Sequence, residues 1–326
     1  MDLLAEQHRI GSLLGRQIHF VSGKGGVGKS AFACALALHF RERGDTVLLA
    51  QVNAADSHQG LLGIDAVSDD VEEAEPGLFV VNTRPGQALR EYALMTLKFE
   101  ALYKAAFENR LTRQFLRFIP SLAELTMLGK LWFHAEEQRD DGRPRFDRVV
   151  VDAPSTGHGL GFLRVSQIIR DIVRAGPMHE KTAEMARTFE DPARTALHVV
   201  TLPEEMPTNE TLEFIAEARR TRAAPLGVLV INAVLRALLD ERARTTVERL
   251  AGSATSSTGA AAALVDVLER RATREALVLE QIQRLVEAER EMPKLELPLL
   301  LTSSFGREEV ELLKERVSLA SGEVRA

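Results

Sequence analysis

Short runs of apolar residues, each ending in a small or polar residue, recur along the chain and alternate with segments of helical periodicity. Their centres are fully apolar in places, as at 149–151 and 228–231. Strands buried on both faces have this composition, and strands that alternate with helices form parallel sheets. The pattern predicts an α/β fold with a doubly wound, mostly parallel sheet of about seven strands, at 18–22, 46–52, 78–82, 148–152, 197–202, 226–232 and 294–301.

Two segments are too long to be simple connections between neighbouring strands. Residues 84–140 have helical periodicity and, within 87–138, contain both tyrosines, the only tryptophan and several phenylalanines. Residues 233–293 form charged amphipathic helices that a Gly/Ser/Thr-rich segment interrupts at 252–259. We therefore expect one domain over 1–326 with helical insertions at 84–140 and 233–293, the second a helical hairpin or projecting arm.

Composition narrows the class of protein. Hydrophobic residues make up 45% and charged residues 27%, which is ordinary for a soluble globular protein. A net charge of −6 opposes a generally nucleic-acid-binding surface. No apolar run approaches the ~18 residues of a membrane span, and the N-terminus lacks the apolar core of a signal peptide. We expect a cytoplasmic protein that neither binds nucleic acid nor inserts into membranes.

The segment after the first predicted strand reads Gly-Lys-Gly-Gly-Val-Gly-Lys-Ser and occupies 23–30. It satisfies the G-x-x-x-x-G-K-[ST] pattern, in which backbone N–H groups wrap phosphates, Lys29 reaches the β- and γ-phosphates and Ser30 binds Mg²⁺. An alanine-rich helical run follows, so the phosphates would lie at a helix N-terminus. We predict a P-loop NTPase that binds a nucleoside triphosphate with Mg²⁺ through Gly23, Gly25, Gly26, Val27, Gly28, Lys29, Ser30 and Ala31; a merely flexible glycine loop is the alternative.

A second Mg²⁺ ligand is predicted at Asp152, which ends the strand at 148–152. P-loop enzymes hold the metal through water with a carboxylate at this position, although an aspartate there can also be only a turn or helix cap. The following residues, Ala-Pro-Ser-Thr-Gly-His-Gly at 153–159, predict a mobile loop that senses the γ-phosphate. Pro154, Gly157 and His158 are its candidate switch residues, with a solvated His158 as the alternative.

The loop sequence with its additional lysine, Lys24, together with the segment at 152–158, resembles the arsenite-pump ATPases and the ATPases that target tail-anchored membrane proteins. The likeness extends to 201–207, to Asn232 and to 297–300, spans nearly the whole chain and is greatest to the bacterial branch. It implies a dimeric ATPase, either a homodimer or a heterodimer with a related subunit. Within that dimer, Lys24 is expected to contact the triphosphate of the neighbouring subunit; a solvated lysine is the alternative.

The resemblance also indicates which nucleobase the site binds. Asn232 and Pro298 match positions that line the adenine in relatives, which favours ATP over GTP. Each residue could equally be a strand-end cap.

One departure from the family pattern concerns hydrolysis. Asn53 stands where relatives of the targeting type have an aspartate that orients and activates the attacking water. An amide binds water but accepts no proton at neutral pH, so turnover is expected to fall by about 10²–10⁴-fold unless Asp56 substitutes. The candidate catalytic residues are therefore Lys24, Lys29, Asn53 and Asp56. We predict slow turnover, or a binding-specialised subunit of a mixed dimer.

Another departure is the cysteine count. Arsenite capture in this family uses several thiolates, and the eukaryotic targeting factors hold zinc with a Cys-x-x-Cys pair. This chain has only Cys34, in the helix after the loop, where we expect a buried small residue. We therefore expect neither arsenite nor zinc as a ligand, and no iron–sulfur cluster.

Three functions remain open. The leading one is an ATP-driven switch that handles a hydrophobic or membrane-associated protein client through 87–138, although a plain helical core explains those residues as well. The second is a ligase of the dethiobiotin-synthetase type, for which we find no extra basic cluster near the motifs. The third is a positioning or partition ATPase; the amphipathic segment at 306–317 has a mostly acidic polar face, which opposes direct membrane anchoring.

Overall fold

The computed structural model describes residues 3–53, 57–65, 67–85, 122–172, 177–235, a few positions between 242 and 249, and 260–322. Asp56 and most of 87–138 lie outside these residues, as does the segment at 252–259. In chain order the elements are α1 (Leu3–Leu14), β1 (Ile18–Gly23), α2 (Lys29–Glu42), β2 (Val47–Val52), α3 (Ser57–Leu62), β3 (Glu72–Glu75), β4 (Leu78–Thr83), α4 (Leu122–Glu136), β5 (Arg148–Asp152), α5 (Thr156–Ile172), α6 (Pro177–Glu190), β6 (Thr195–Thr201), α7 (Glu205–Thr221), β7 (Leu226–Val234), α8 (Ala260–Ala288), β8 (Lys294–Pro298) and α9 (Arg307–Ala320).

The strands form one eight-stranded sheet in the order β3-β4-β2-β5-β1-β6-β7-β8. All neighbours pair in parallel except β3, which runs antiparallel to β4 at the edge. Every predicted strand is present, and the predicted α/β class is confirmed. The last strand ends at Pro298 rather than at 301, and the Leu299 N–H that follows it still donates to the Val234 carbonyl oxygen at 2.9 Å.

Two apolar cores cover the two faces of the sheet, and alternate residues of each strand supply them. In β2, Leu48 and Ala50 face one core, whereas Val47 and Leu49 face the other. Helices α4 to α7 cover the first face, and α1, α2 and α9 cover the second. The second core encloses α2 so fully that Cys34 is 0% exposed, and burial raises the pKa of its thiol well above the usual value. The expectation of a buried Cys34 is confirmed.

The described parts of the two predicted insertions pack against the rest of the chain. Helix α4 buries Leu125, Leu128 and Leu131 in the first core, and Met127 is buried with them. The described end of the aromatic segment is therefore helical core rather than an exposed groove. Helix α8 packs against α7 and buries Leu285 in the same core. None of the described helices combines the length and apolar character needed to cross a bilayer.

Two buried histidines link three central strands below the phosphate loop. His19 Nδ1 lies 3.0 Å from His198 Nε2, His19 Nε2 lies 2.7 Å from the Arg16 carbonyl, and His198 Nδ1 accepts the Val228 N–H at 3.2 Å. This series of hydrogen bonds requires both rings to be neutral. His198 Nε2–H donates to His19 Nδ1, and His19 Nε2–H donates to the Arg16 carbonyl oxygen. Burial lowers the pKa of His198 to about 3 and the pKa of His19 well below 6.5, the latter helped by His198.

The lowered pKa values of His19 and His198 predict that the protein loses stability in acid. Both pKa values lie below the unfolded value of about 6.5, so the unfolded state binds more protons below that pH and stability falls as pH falls. Each histidine should cost about 1.4 kcal/mol of unfolding free energy per pH unit, giving a loss of about 2–4 kcal/mol between pH 7 and pH 5. Urea unfolding at the two pH values measures it. His198→Gln should flatten the dependence, whereas replacing the exposed His8 by asparagine should not; equal slopes would contradict the assignment.

Candidate functional site

The loop between β1 and α2 has backbone angles that suit glycine. Gly26 and Gly28 have φ of 84° and 92°, in the left-handed region. Gly28 is also the N-cap of α2, so the loop ends where that helix exposes its free N–H groups. Gly23 approaches β6 so closely that a Cβ would lie 2.2 Å from the Val200 carbonyl oxygen. The geometry is that of a phosphate-binding loop before a helix N-terminus.

Lys29 opens α2 and directs its ammonium back into the loop, where Nζ donates to the Lys24 carbonyl oxygen at 3.0 Å. Burial lowers the pKa of Lys29, and the charge of Asp152 opposes that effect. A partly desolvated ammonium at this point interacts strongly with phosphate oxygens because little water must be displaced. The Lys29 ammonium thus lies within the loop, and its contact with the β- and γ-phosphates stays a prediction.

Ser30 and Asp152 come together across the chain, with Ser30 Oγ donating to Asp152 Oδ2 at 2.6 Å. The other carboxylate oxygen, Oδ1, is buried and has no hydrogen-bond partner among the described residues. A hydroxyl and an orphaned carboxylate oxygen beside a phosphate loop fit Mg²⁺, which takes one or two protein oxygens and otherwise waters and phosphates. Mg²⁺ bound there would neutralise charge on the β- and γ-phosphates. The described residues contain no cluster of three or more metal-binding side chains, and this mode of binding needs none.

Lys24 points away from its own loop. Its ammonium forms an ion pair with Glu210 Oε1 on α7 at 2.6 Å, and both side chains are about a third exposed to solvent. Within this chain, therefore, the Lys29 ammonium contacts the loop backbone, whereas the Lys24 ammonium contacts Glu210. Its predicted contact with a neighbouring triphosphate stays a prediction.

Asn53 follows β2 directly, is exposed and has φ of 46°. Its N–H donates to the Thr83 carbonyl oxygen at 2.9 Å, which fixes the backbone at the edge of the sheet. Two residues earlier, Gln51 is in register with Asp152 in β5. Asn53 therefore lies at the same edge of the sheet as Asp152, the predicted metal ligand, and its role at the attacking water stays a prediction.

The predicted switch loop is partly wrong, because α5 begins at Thr156 and contains Gly157 and His158 in its first turn. Pro154 precedes the helix, and its carbonyl oxygen accepts a hydrogen bond from Ser22 Oγ at 3.4 Å. Gly159 lets α5 approach the sheet closely. A Cβ at Gly159 would lie 2.7 Å from Ser22 Oγ and 2.9 Å from the Pro154 carbonyl oxygen.

A cavity of about 600 Å³ lies beside the loop and is large enough for a base and ribose. Asn232 lines it and donates from Nδ2 to the Val27 carbonyl oxygen at 2.9 Å. Leu299 rather than Pro298 forms the wall after β8, because Pro298 pairs with Val234 in the sheet. The opposite wall comes from α8, within the predicted arm, with Arg274, Leu277, Val278 and Gln281.

Two features of the site were missed from the sequence. The contribution of α8 to the cavity had no signal, because Arg274 belongs to an amphipathic pattern that fits any solvated helix. His58 on α3 was also missed; its ring is 0% exposed and its Nε2 lies 3.2 Å from Asp152 Oδ2. A single histidine in a polar segment predicts nothing until the fold brings it to the carboxylate.

Comparison with known proteins gives the family. The model of the anion-transporting ATPase family matches residues 16–177. ATPase BagA of Mycobacterium tuberculosis is 30% identical over 231 residues, which cover 68% of this chain and 66% of BagA. The arsenical pump-driving ATPase of Acidiphilium multivorum is 27% identical over 248 residues, 66% of this chain and 39% of that protein. ATPase GET3 of Kluyveromyces lactis is 25% identical over 197 residues, 55% of this chain and 56% of GET3.

This chain thus matches between 39% and 66% of the length of these relatives. The matched region contains the phosphate loop, Asn53 and Asp152, which carry the predicted nucleotide chemistry. The family predicted from the sequence is confirmed: the chain belongs to the anion-transporting ATPase family, and its relatives include an arsenical pump-driving ATPase and ATPase GET3.

Proposed function

We propose that this ATPase is a dimeric switch that binds ATP and Mg²⁺, hydrolyses ATP slowly and acts on a hydrophobic or membrane-associated protein client. The observation that carries the proposal is that the two loop lysines make different contacts. Lys29 directs its ammonium into its own loop, whereas Lys24 directs its ammonium outward to Glu210. A second loop lysine that turns away from its own nucleotide is available to the nucleotide of a neighbour.

The Lys24–Glu210 pair is weak enough to exchange. Both side chains are about a third exposed, and ion pairs of this kind contribute about 0–1 kcal/mol. A triphosphate carries several negative charges, and its bonds to an ammonium are charge-assisted. A neighbouring subunit with bound ATP would therefore draw Lys24 from Glu210 at little cost, which makes dimer closure depend on nucleotide.

The client part of the proposal rests on the resemblance of the motifs to ATPases that target tail-anchored proteins. Helix α4, the described end of the proposed contact segment at 87–138, packs into the core, and the rest of that segment lies outside the described residues. Helix α9 buries Val310, Leu313 and Val317 against the second core, so these three residues are not available to a membrane. That packing disfavours a partition ATPase that anchors itself directly, and the family membership disfavours a dethiobiotin-type ligase.

Sedimentation velocity tests the proposal, with a fluorescent 20-residue apolar helical peptide as the client probe. With Mg²⁺ and a non-hydrolysable ATP analogue, the wild type should sediment as a dimer carrying the peptide, and without nucleotide as a monomer without it. Lys24→Ala should still bind the analogue but weaken dimerisation at least about tenfold, because a charge-assisted contact worth roughly 1.4 kcal/mol or more is lost.

Lys181→Ala is the matched control, since Lys181 is an exposed lysine on α6 that pairs with Glu184 away from the loop. It should behave as the wild type. A wild type that stays monomeric with nucleotide, or a Lys24→Ala protein that dimerises normally, would contradict the dimeric switch. A dimer that binds no peptide would remove the client part alone.

A further inference from the structure

His58 occupies an unusual place for a core residue. It lies on α3 and is 0% exposed, yet its ring contacts a carboxylate rather than only apolar neighbours. Its Nε2 lies 3.2 Å from Asp152 Oδ2, the same oxygen that accepts the Ser30 hydroxyl at 2.6 Å. One oxygen of the predicted metal ligand therefore has two side-chain contacts.

The hydrogen-bond pattern assigns the proton on the ring. An ionised carboxylate only accepts, so Nε2 must carry the hydrogen that is donated to Asp152. The remaining nitrogen, Nδ1, is buried without a hydrogen-bond partner among the described residues, as is Asp152 Oδ1. Burying an unsatisfied ring nitrogen is costly, and a leucine would fill this space more cheaply. Packing alone therefore does not account for histidine at this position.

We propose that His58 is a positioning residue that holds the Asp152 carboxylate for Mg²⁺. The bonds from His58 and Ser30 fix Oδ2, which leaves Oδ1 as the oxygen directed to the water shell of the metal. Groups that hydrogen-bond to a metal ligand fix its orientation and typically change metal affinity or activity by about 10–100-fold. This role rests on the proposed Mg²⁺–ATP site.

Two amide substitutions separate this role from simple packing. In a glutamine at position 58 the side-chain nitrogen reaches about as far as Nε2, whereas in an asparagine it reaches only as far as Nδ1. The measurement is a titration of Mg²⁺ against binding of a fluorescent ATP analogue to the full chain. His58→Asn and His58→Leu should raise the half-maximal Mg²⁺ concentration about 10–100-fold, and His58→Gln should stay within about threefold of wild type.

Binding of the analogue in EDTA should be the same for all variants, and thermal melting confirms that each is folded. If His58→Leu does not fold, the asparagine and glutamine pair still decides the question. Replacement of exposed His8 by glutamine is the control and should change nothing. Equal Mg²⁺ midpoints for His58→Asn and His58→Gln would overturn the positioning role. A wild type that binds the analogue without any Mg²⁺ dependence would instead overturn the proposed Mg²⁺–ATP site, and this role with it.

Discussion

Replacement of Asn53 by aspartate is expected to raise the rate of ATP hydrolysis by about 10²–10⁴-fold. A carboxylate at this position can accept a proton from the attacking water and orient it, whereas the amide only orients it. The position is suitable, because Asn53 lies at the end of β2, at the same sheet edge as Asp152. Release of phosphate under saturating Mg²⁺–ATP measures the effect.

The backbone tolerates this substitution. Asn53 has φ of 46°, a left-handed conformation that asparagine and aspartate both adopt more readily than most residues. Its hydrogen bond to Thr83 uses the backbone N–H and survives the change. Asn53→Asp should therefore melt as the wild type does, so a change in rate reports on chemistry rather than on folding.

Asn53→Gly is the matched control, since glycine keeps the backbone conformation and removes the side chain. It should hydrolyse ATP no faster than the wild type. If Asp56 already supplies the base, Asn53→Asp should have little effect, and Asp56→Asn should abolish the remaining activity. A rate unchanged by all three substitutions would contradict the view that the missing aspartate limits turnover.

The strands were predictable because each one is a local signal. The runs at β1, β2 and β5 are mostly apolar, since both faces of a central strand are buried. The missed strand, β3, reads Glu-Glu-Ala-Glu and lies at the edge. It carries charge because an exposed edge must resist pairing with other chains, and charge removes the apolar pattern that predicts a strand.

The phosphate loop was predictable for the same reason, because its function needs a fixed local geometry that only glycine supplies. The neighbouring elements were not. The glycines at 157 and 159 resembled a mobile loop, but Gly159 serves close packing of α5 on Ser22. His58 reaches Asp152 and Arg274 reaches the cavity only through tertiary contacts, which no local pattern encodes.

The second large expected effect is a loss of stability on substitution of Gly23, the first glycine of the phosphate loop. Gly23→Ala is expected to lower the free energy of unfolding by about 2–5 kcal/mol and to weaken ATP binding. Gly23 has φ of 155° and is in register with Val200 in β6, whose carbonyl oxygen would lie 2.2 Å from the new Cβ. The contact is with backbone, so β1 and β6 must separate where the phosphate loop begins.

Gly25→Ala is the comparison within the same loop. A Cβ at Gly25 meets no atom within 4 Å, and its φ lies outside the left-handed region, so the unfolding free energy should change by less than about 0.5 kcal/mol. Urea unfolding of both variants measures the difference. If Gly23→Ala were as stable as Gly25→Ala, the close β1–β6 contact at the loop would be wrong, and the loop would not need glycine at its first position.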